Sequence, residues 1–155
     1  MSDLTQQAMP AVERLLKADE AQLYEQLGIR AKAIAVDPTK AGSFEPEVTY
    51  DQAQMGLKED VLEAGRRLYS RWNVEAYKLV CGTDPEDQKD RKNLTTAFSF
   101  NEVTVAATLS ALLVTYLGLA PALAAVIAAL TIKRFFRPAY EEFCRVWKKN
   151  LPHNE

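Results

Sequence analysis

The sequence predicts an all-α fold, a helical bundle of about five or six helices around a central hydrophobic helical hairpin. Three observations predict it. Residues 103–132 contain no Asp, Glu, Lys, Arg, His, Asn or Gln, and so uncharged a run belongs in a bilayer or at the centre of a bundle. Apolar residues on both sides of the run recur at spacings of three, four and seven, the period of amphipathic helices. The chain has 155 residues, 48% hydrophobic and 26% charged, which suits one ordered domain with a sizeable core. Within that domain, residues 1–101 form an amphipathic helical part, 102–136 the hydrophobic hairpin, and 137–155 a basic, aromatic C-terminal helix.

Pro10 suits the first turn of a helix, and Val12, Leu15, Leu16, Leu23 and Leu27 follow at helical spacings. This predicts an amphipathic helix interrupted near Asp19 and ended by Gly28 in a left-handed cap. Ile29 to Val36 fits alternation as well as a helical turn; its alanines favour helix, with a stop at Asp37-Pro38. Two prolines, a glycine and one aromatic between Pro38 and Val48 predict a connecting loop pinned by Phe44.

Thr49 or Asp51 then caps a long helix whose wide apolar face carries Val61, Leu62, Leu68, Tyr69, Trp72, Ala76, Tyr77, Leu79 and Val80. Gly82 closes it. Residues 83–92 mix both signs of charge densely, the pattern of a solvated loop with the first turn of the next helix. Phe98 and Phe100 lead into Asn101, a helix cap with Glu102 in the first turn.

A single straight helix through the uncharged run would be roughly 45 Å long at 1.5 Å per residue. That overshoots a hydrocarbon core of about 30 Å. Gly118-Leu119-Ala120-Pro121 supplies a break, so the expectation is two helices, 102–117 and 121–136, folded back on each other. Lys89, Arg91 and Lys92 precede the run and Lys133, Arg134 and Arg137 follow it; in a membrane, both ends would face the cytoplasm. Small residues stand four apart in Ala106/Ser110, Ala107/Ala111, Ala120/Ala124, Ala124/Ala128 and Ala125/Ala129. Such spacing allows close approach of helices in lipid or in a core. Ala107, Ala111, Gly118, Pro121, Ala124 and Ala128 are the candidate membrane or helix-packing residues. A hydrophobic hairpin inside amphipathic helices resembles, as an arrangement, the pore-forming colicins and the helical apoptosis regulators. No motif of either family is present.

In the tail, Phe136, Tyr140, Phe143 and Trp147 fall on one helical stripe, with Arg145, Lys148 and Lys149 off it. Aromatics on one side and cations on the other suit a helix lying in a bilayer interface, so these four aromatics with Lys148 and Lys149 form a candidate interfacial anchor. Packed into a core, the stripe would meet Trp72 and Tyr69 instead. Residues 133–155 carry six Lys/Arg against three Asp/Glu, and residues 1–132 thirteen against eighteen. An acidic front and a basic tail argue against nucleic acid as partner and suit anionic lipid better.

Cys81 and Cys144 stand far apart in apolar surroundings and read as free buried thiols of a reducing compartment, rather than a disulfide. The opening residues are polar and lack the basic start of a signal peptide, so the expected location is cytoplasmic, with the cytoplasmic face of the inner or plasma membrane as its extension.

The residues that chemistry needs are sparse. His153, the sole histidine, lies in the terminal tail, the glycines stand singly, and the pairs Glu59-Asp60, Glu86-Asp87 and Glu141-Glu142 point to different helix faces as surface charge. Asn93-Leu94-Thr95 matches a glycosylation sequon that a cytosolic location would leave inert. No enzyme activity, cofactor or metal is expected. The first functional expectation is a membrane effector or tethered adaptor whose hairpin associates with lipid. The alternative is a soluble protein–protein interaction or regulatory module with the hairpin as buried core, binding through helices 11–36 and 51–81. Self-association into a homo-oligomer through the small-residue stripes fits either.

Overall fold

Asp19 divides the N-terminal segment. Its carboxylate accepts from the Gln22 backbone N–H at 2.8 Å while the Gln22 side chain accepts from the Asp19 N–H at 3.0 Å, a reciprocal cap that starts a new helix. The computed structural model describes residues 3–46, 58–82 and 88–151. These form α1 (Asp3–Leu15), α2 (Glu20–Val36), a 3-10 turn (Pro38–Gly42), α3 (Lys58–Cys81), α4 (Gln88–Ala97), α5 (Glu102–Leu117), α6 (Pro121–Phe135) and α7 (Tyr140–Lys149). The all-α class holds, with no strand among the described residues. Among the described residues there are seven α-helices, where about five or six were expected. The expected cap at Thr49 or Asp51, the pair Glu86-Asp87 and His153 lie outside the described residues.

Two N-terminal expectations are corrected. Pro10 is not in the first turn: α1 begins at Asp3, and Pro10 lies inside it on the exposed face. A proline there costs about 3 kcal/mol; burial of Ala8, Ala11, Val12 and Leu15 on the opposite face offsets it. Gly28 does not end a helix, since α2 runs on to Val36. Its role is close approach. A Cβ on Gly28 would lie 2.3 Å from the Val61 carbonyl oxygen, and one on Gly65 would lie 1.9 Å from that of Tyr24. The two glycines let the backbones of α2 and α3 touch in the most extensive helix pairing of the fold.

α1 packs on α5, and α2 packs on both α3 and α6. α5 and α6 also pack on each other, and their bounds fall within a residue of the expected ones. Asn101 caps α5, its Oδ1 accepting from Thr104 N–H at 2.9 Å. Gly118 ends α5 in the left-handed region at φ 67°, where a residue without Cβ carries no steric cost. Pro121 opens α6 with its φ already helical. No helix among the described residues is long and apolar enough to cross a membrane.

The cysteine expectation is also corrected. Cys81, the last residue of α3, and Cys144 on α7 are joined in a disulfide, with Cα atoms 5.8 Å apart across 63 residues of sequence. Distance in sequence concealed proximity in the fold. The bond removes the support that free thiols gave to a reducing compartment. Phe136 precedes α7 and is not on its stripe; it stacks on Phe98, centroids 5.6 Å apart. Trp147 meets Tyr77 edge-on at 5.4 Å, and its indole N–H donates to Asn73 Oδ1 at 2.7 Å.

Candidate interaction groove

The packing residues expected from the sequence sit within the core or at its turn. Ala107, Ala124 and Ala128 are fully buried and Ala111 is 6% exposed, while Gly118 is open to solvent and Pro121 half-buried at the turn. The candidate anchor divides in two. Phe143 and Trp147 are fully buried, Phe136 and Tyr140 half-buried, and Lys148 and Lys149 exposed. Tyr140 donates its hydroxyl to the Val80 carbonyl. All four aromatics thus face protein, and the two lysines face solvent.

Both ends of α6 are tied to neighbouring helices by cations. Arg30 of α2, 5% exposed, donates to the carbonyls of Ala122 and Phe44, each at 3.0 Å, and to Gln26 Oε1 at 3.1 Å. Burial pulls its pKa down to about 10, with Glu45 acting the other way. A charge without a contacting carboxylate is tolerable there because carbonyl oxygens solvate it. At the other end, Lys133 donates to the Leu16 carbonyl at 3.0 Å and Arg134 to the Tyr24 hydroxyl at 2.8 Å.

Two buried hydroxyls within the uncharged run bond to the carbonyl one turn back. Ser110 donates to the Ala106 carbonyl at 3.0 Å and Thr131 to that of Ile127 at 2.9 Å. Because the Thr131 proton is used there, it is Tyr69 that donates across the 3.0 Å contact between their hydroxyls. Burial pushes the Tyr69 hydroxyl above the ordinary phenol range.

A groove of 560 Å³ opens between α1, α4 and α5. Thr104, Thr108, Ala111, Leu112 and Thr115 line it from successive turns of α5, and Asn93, Thr96 and Ala97 from one face of α4. Thr5 closes it on the α1 side. From Thr104 to Thr115 it spans about 16 Å at 1.5 Å per residue, or three helical turns. Phe100 and Tyr116 stand on its rim, 64% and 44% exposed. They are two of the three large hydrophobics most open to solvent among the described residues, the third being Val36 at 56%.

The lining has a definite hydrogen-bonding character. Thr96 donates to the Lys92 carbonyl at 2.9 Å, Thr104 to Asn101 Oδ1 at 3.0 Å, and Thr108 to the Thr104 carbonyl at 2.8 Å. With these protons used internally, the three hydroxyls offer only lone pairs outward. Among the described residues, no charged side chain lines the groove. Comparison with protein-family models, curated proteins and solved structures found no match to this chain.

The groove leaves little trace in the sequence, because a run defined by its lack of charge hides threonine, which carries none. The recurrence Thr104, Thr108, Thr115 in an otherwise aliphatic helix was the available signal. The faces of α2 and α3 expected to bind partners are partly consumed by their contact with each other.

Proposed function

We propose that the protein is a non-enzymatic helical interaction module. In this reading α5 and α6 form a hydrophobic hairpin that serves as permanent core, and the groove between α4 and α5 receives a helical segment of a protein partner. Burial of the uncharged run carries the reading. Residues 104–113 and 124–132 are buried throughout, and within 103–132 only Thr115, Tyr116 and Gly118 are openly exposed. A hairpin resident in lipid would keep an apolar face outward. Two exposed aromatics on the rim of a three-turn groove offer apolar surface to a helix laid into it. The Cys81–Cys144 disulfide supports a location where disulfides persist, in place of the cytosol.

A second reading rests on the uncharged run with basic residues at both flanks. There, α5 and α6 open onto an anionic membrane face, and Phe136, Tyr140, Phe143 and Trp147 leave the core as an interfacial anchor beside Lys148 and Lys149. Hydrogen exchange with and without vesicles of phosphatidylcholine and phosphatidylglycerol separates the two. The core reading expects α5 and α6 amides to exchange slowest and to be indifferent to vesicles. Deprotection of α5 and α6 on adding vesicles would favour the membrane reading.

A further inference from the structure

A second cleft, of 420 Å³, lies where α3, α6 and α7 meet. Ser70 and Asn73 of α3, Arg134 near the end of α6, and Lys149 at the end of α7 all line it. Among the described residues, no carboxylate does. Two cations and two neutral donors therefore share one cleft on a chain whose net charge is −2.

Asn73 is the pointer. It is 6% exposed, and its Oδ1 accepts from the Trp147 indole N–H at 2.7 Å. Indole nitrogen only donates, which fixes the amide's orientation and leaves the NH2 as what Asn73 still offers. That NH2 has no acceptor among the described residues. A buried donor left unmade costs about 1–3 kcal/mol, so a group in this position calls for an outside acceptor.

Arg134 is held in place with donors to spare. Its Nη1 donates to the Tyr24 hydroxyl at 2.8 Å, and Nε stands 3.7 Å from Glu20 Oε1. Its guanidinium carbon lies 5.6 Å from the Tyr69 ring centre and 5.0 Å from that of Phe135. Nη2 has no protein acceptor among the described residues. Lys149 is exposed and makes no ion pair among them. Glu20 is the nearby acid; it meets Arg134 at Nε and does not line the cleft.

We propose that this cleft binds a phosphate-type oxyanion. Arg134 and Lys149 supply the charge, the Asn73 NH2 a buried donor, and the Ser70 hydroxyl a fourth contact. A tetrahedral anion with several acceptor oxygens fits this donor set better than a carboxylate with two. The anion is either a free phosphate group or the headgroup of a phospholipid.

The test is titration of the full-length, disulfide-bonded protein with inorganic phosphate at constant ionic strength, followed by calorimetry and by thermal melting. Ser70→Glu and Lys149→Glu alter exposed side chains, and each is expected to weaken phosphate binding about tenfold or more, the loss of one charge-assisted contact. Lys149→Arg keeps the charge and should bind nearly as the parent does. Pelleting with phosphatidylcholine vesicles carrying phosphatidic acid identifies the source. Pelleting that free phosphate and Lys149→Glu both abolish assigns the site to a headgroup; saturable phosphate binding without pelleting assigns it to a free phosphate group. Absence of both phosphate binding and pelleting overturns the proposal, as does binding that Ser70→Glu and Lys149→Glu leave unchanged.

Discussion

Loss of the Cys81–Cys144 disulfide should cost this protein much of its stability. The bond joins the end of α3 to α7 across 63 residues, so in the unfolded chain it closes a long loop and removes much of its freedom. In the chain-entropy model a loop of that length is worth on the order of 4 kcal/mol. The folded state loses little on substitution by alanine, because α7 keeps the fully buried Phe143 and Trp147 and the Trp147–Asn73 hydrogen bond. Urea unfolding of the parent and of the Cys81→Ala/Cys144→Ala double variant measures the difference directly. With a slope of roughly 2 kcal/mol/M, the midpoint should fall by about 2 M, and a thiol-specific reagent should find no free thiol in the unreduced, unfolded parent. A midpoint shift near zero, or two titratable thiols, would mean that the Cys81–Cys144 bond does not hold this fold together.

Other outcomes follow from the same packing. Gly65→Ala places a methyl against the Tyr24 backbone at 1.9 Å and should destabilise by about 3 kcal/mol or more in denaturant titration, as overpacking does; Gly42→Ala meets nothing within 4 Å and should change stability by less than about 0.5 kcal/mol. Arg30→Met keeps the stem but leaves the Phe44 and Ala122 carbonyls without their donor, for an expected loss of about 2–4 kcal/mol in the same assay. Tyr69 titrates above its ordinary value of 10.0 because burial disfavours the phenolate. Its contribution to stability is therefore full below that value and lost as pH rises through the higher folded one. Tyr69→Phe should flatten the alkaline fall in stability seen by circular dichroism.

Where a local signal had one meaning, the sequence was readable. Asn101 followed by Glu102 could only begin a helix, and Gly118 with Pro121 could only interrupt one, so the limits of α5 and α6 were legible. Gly28 had two meanings. A glycine after an apolar helical stretch ends that helix or admits a neighbour's backbone, and only the position of Val61 decides between them. Cys81 and Cys144 looked independent because a pairing across 63 residues leaves no trace in local pattern. Asn73 was invisible for the same reason: its use depends on Trp147, seventy-four residues away. The groove was half legible, since Phe100 stood out as an aromatic before the cap while the threonines of α5 passed as part of an uncharged run.

The proposed role of α5 and α6 as a permanent core keeps them out of any membrane. Fractionation of the full-length, untagged protein, made without detergent, tests it most directly. The pellet is washed with carbonate and the supernatant passed over a sizing column. The parent should be monodisperse in the supernatant, and Ala124→Asp, which puts a charge at a fully buried site, should remove it from that pool by unfolding. Retention of the parent in the membrane pellet after the wash would contradict it.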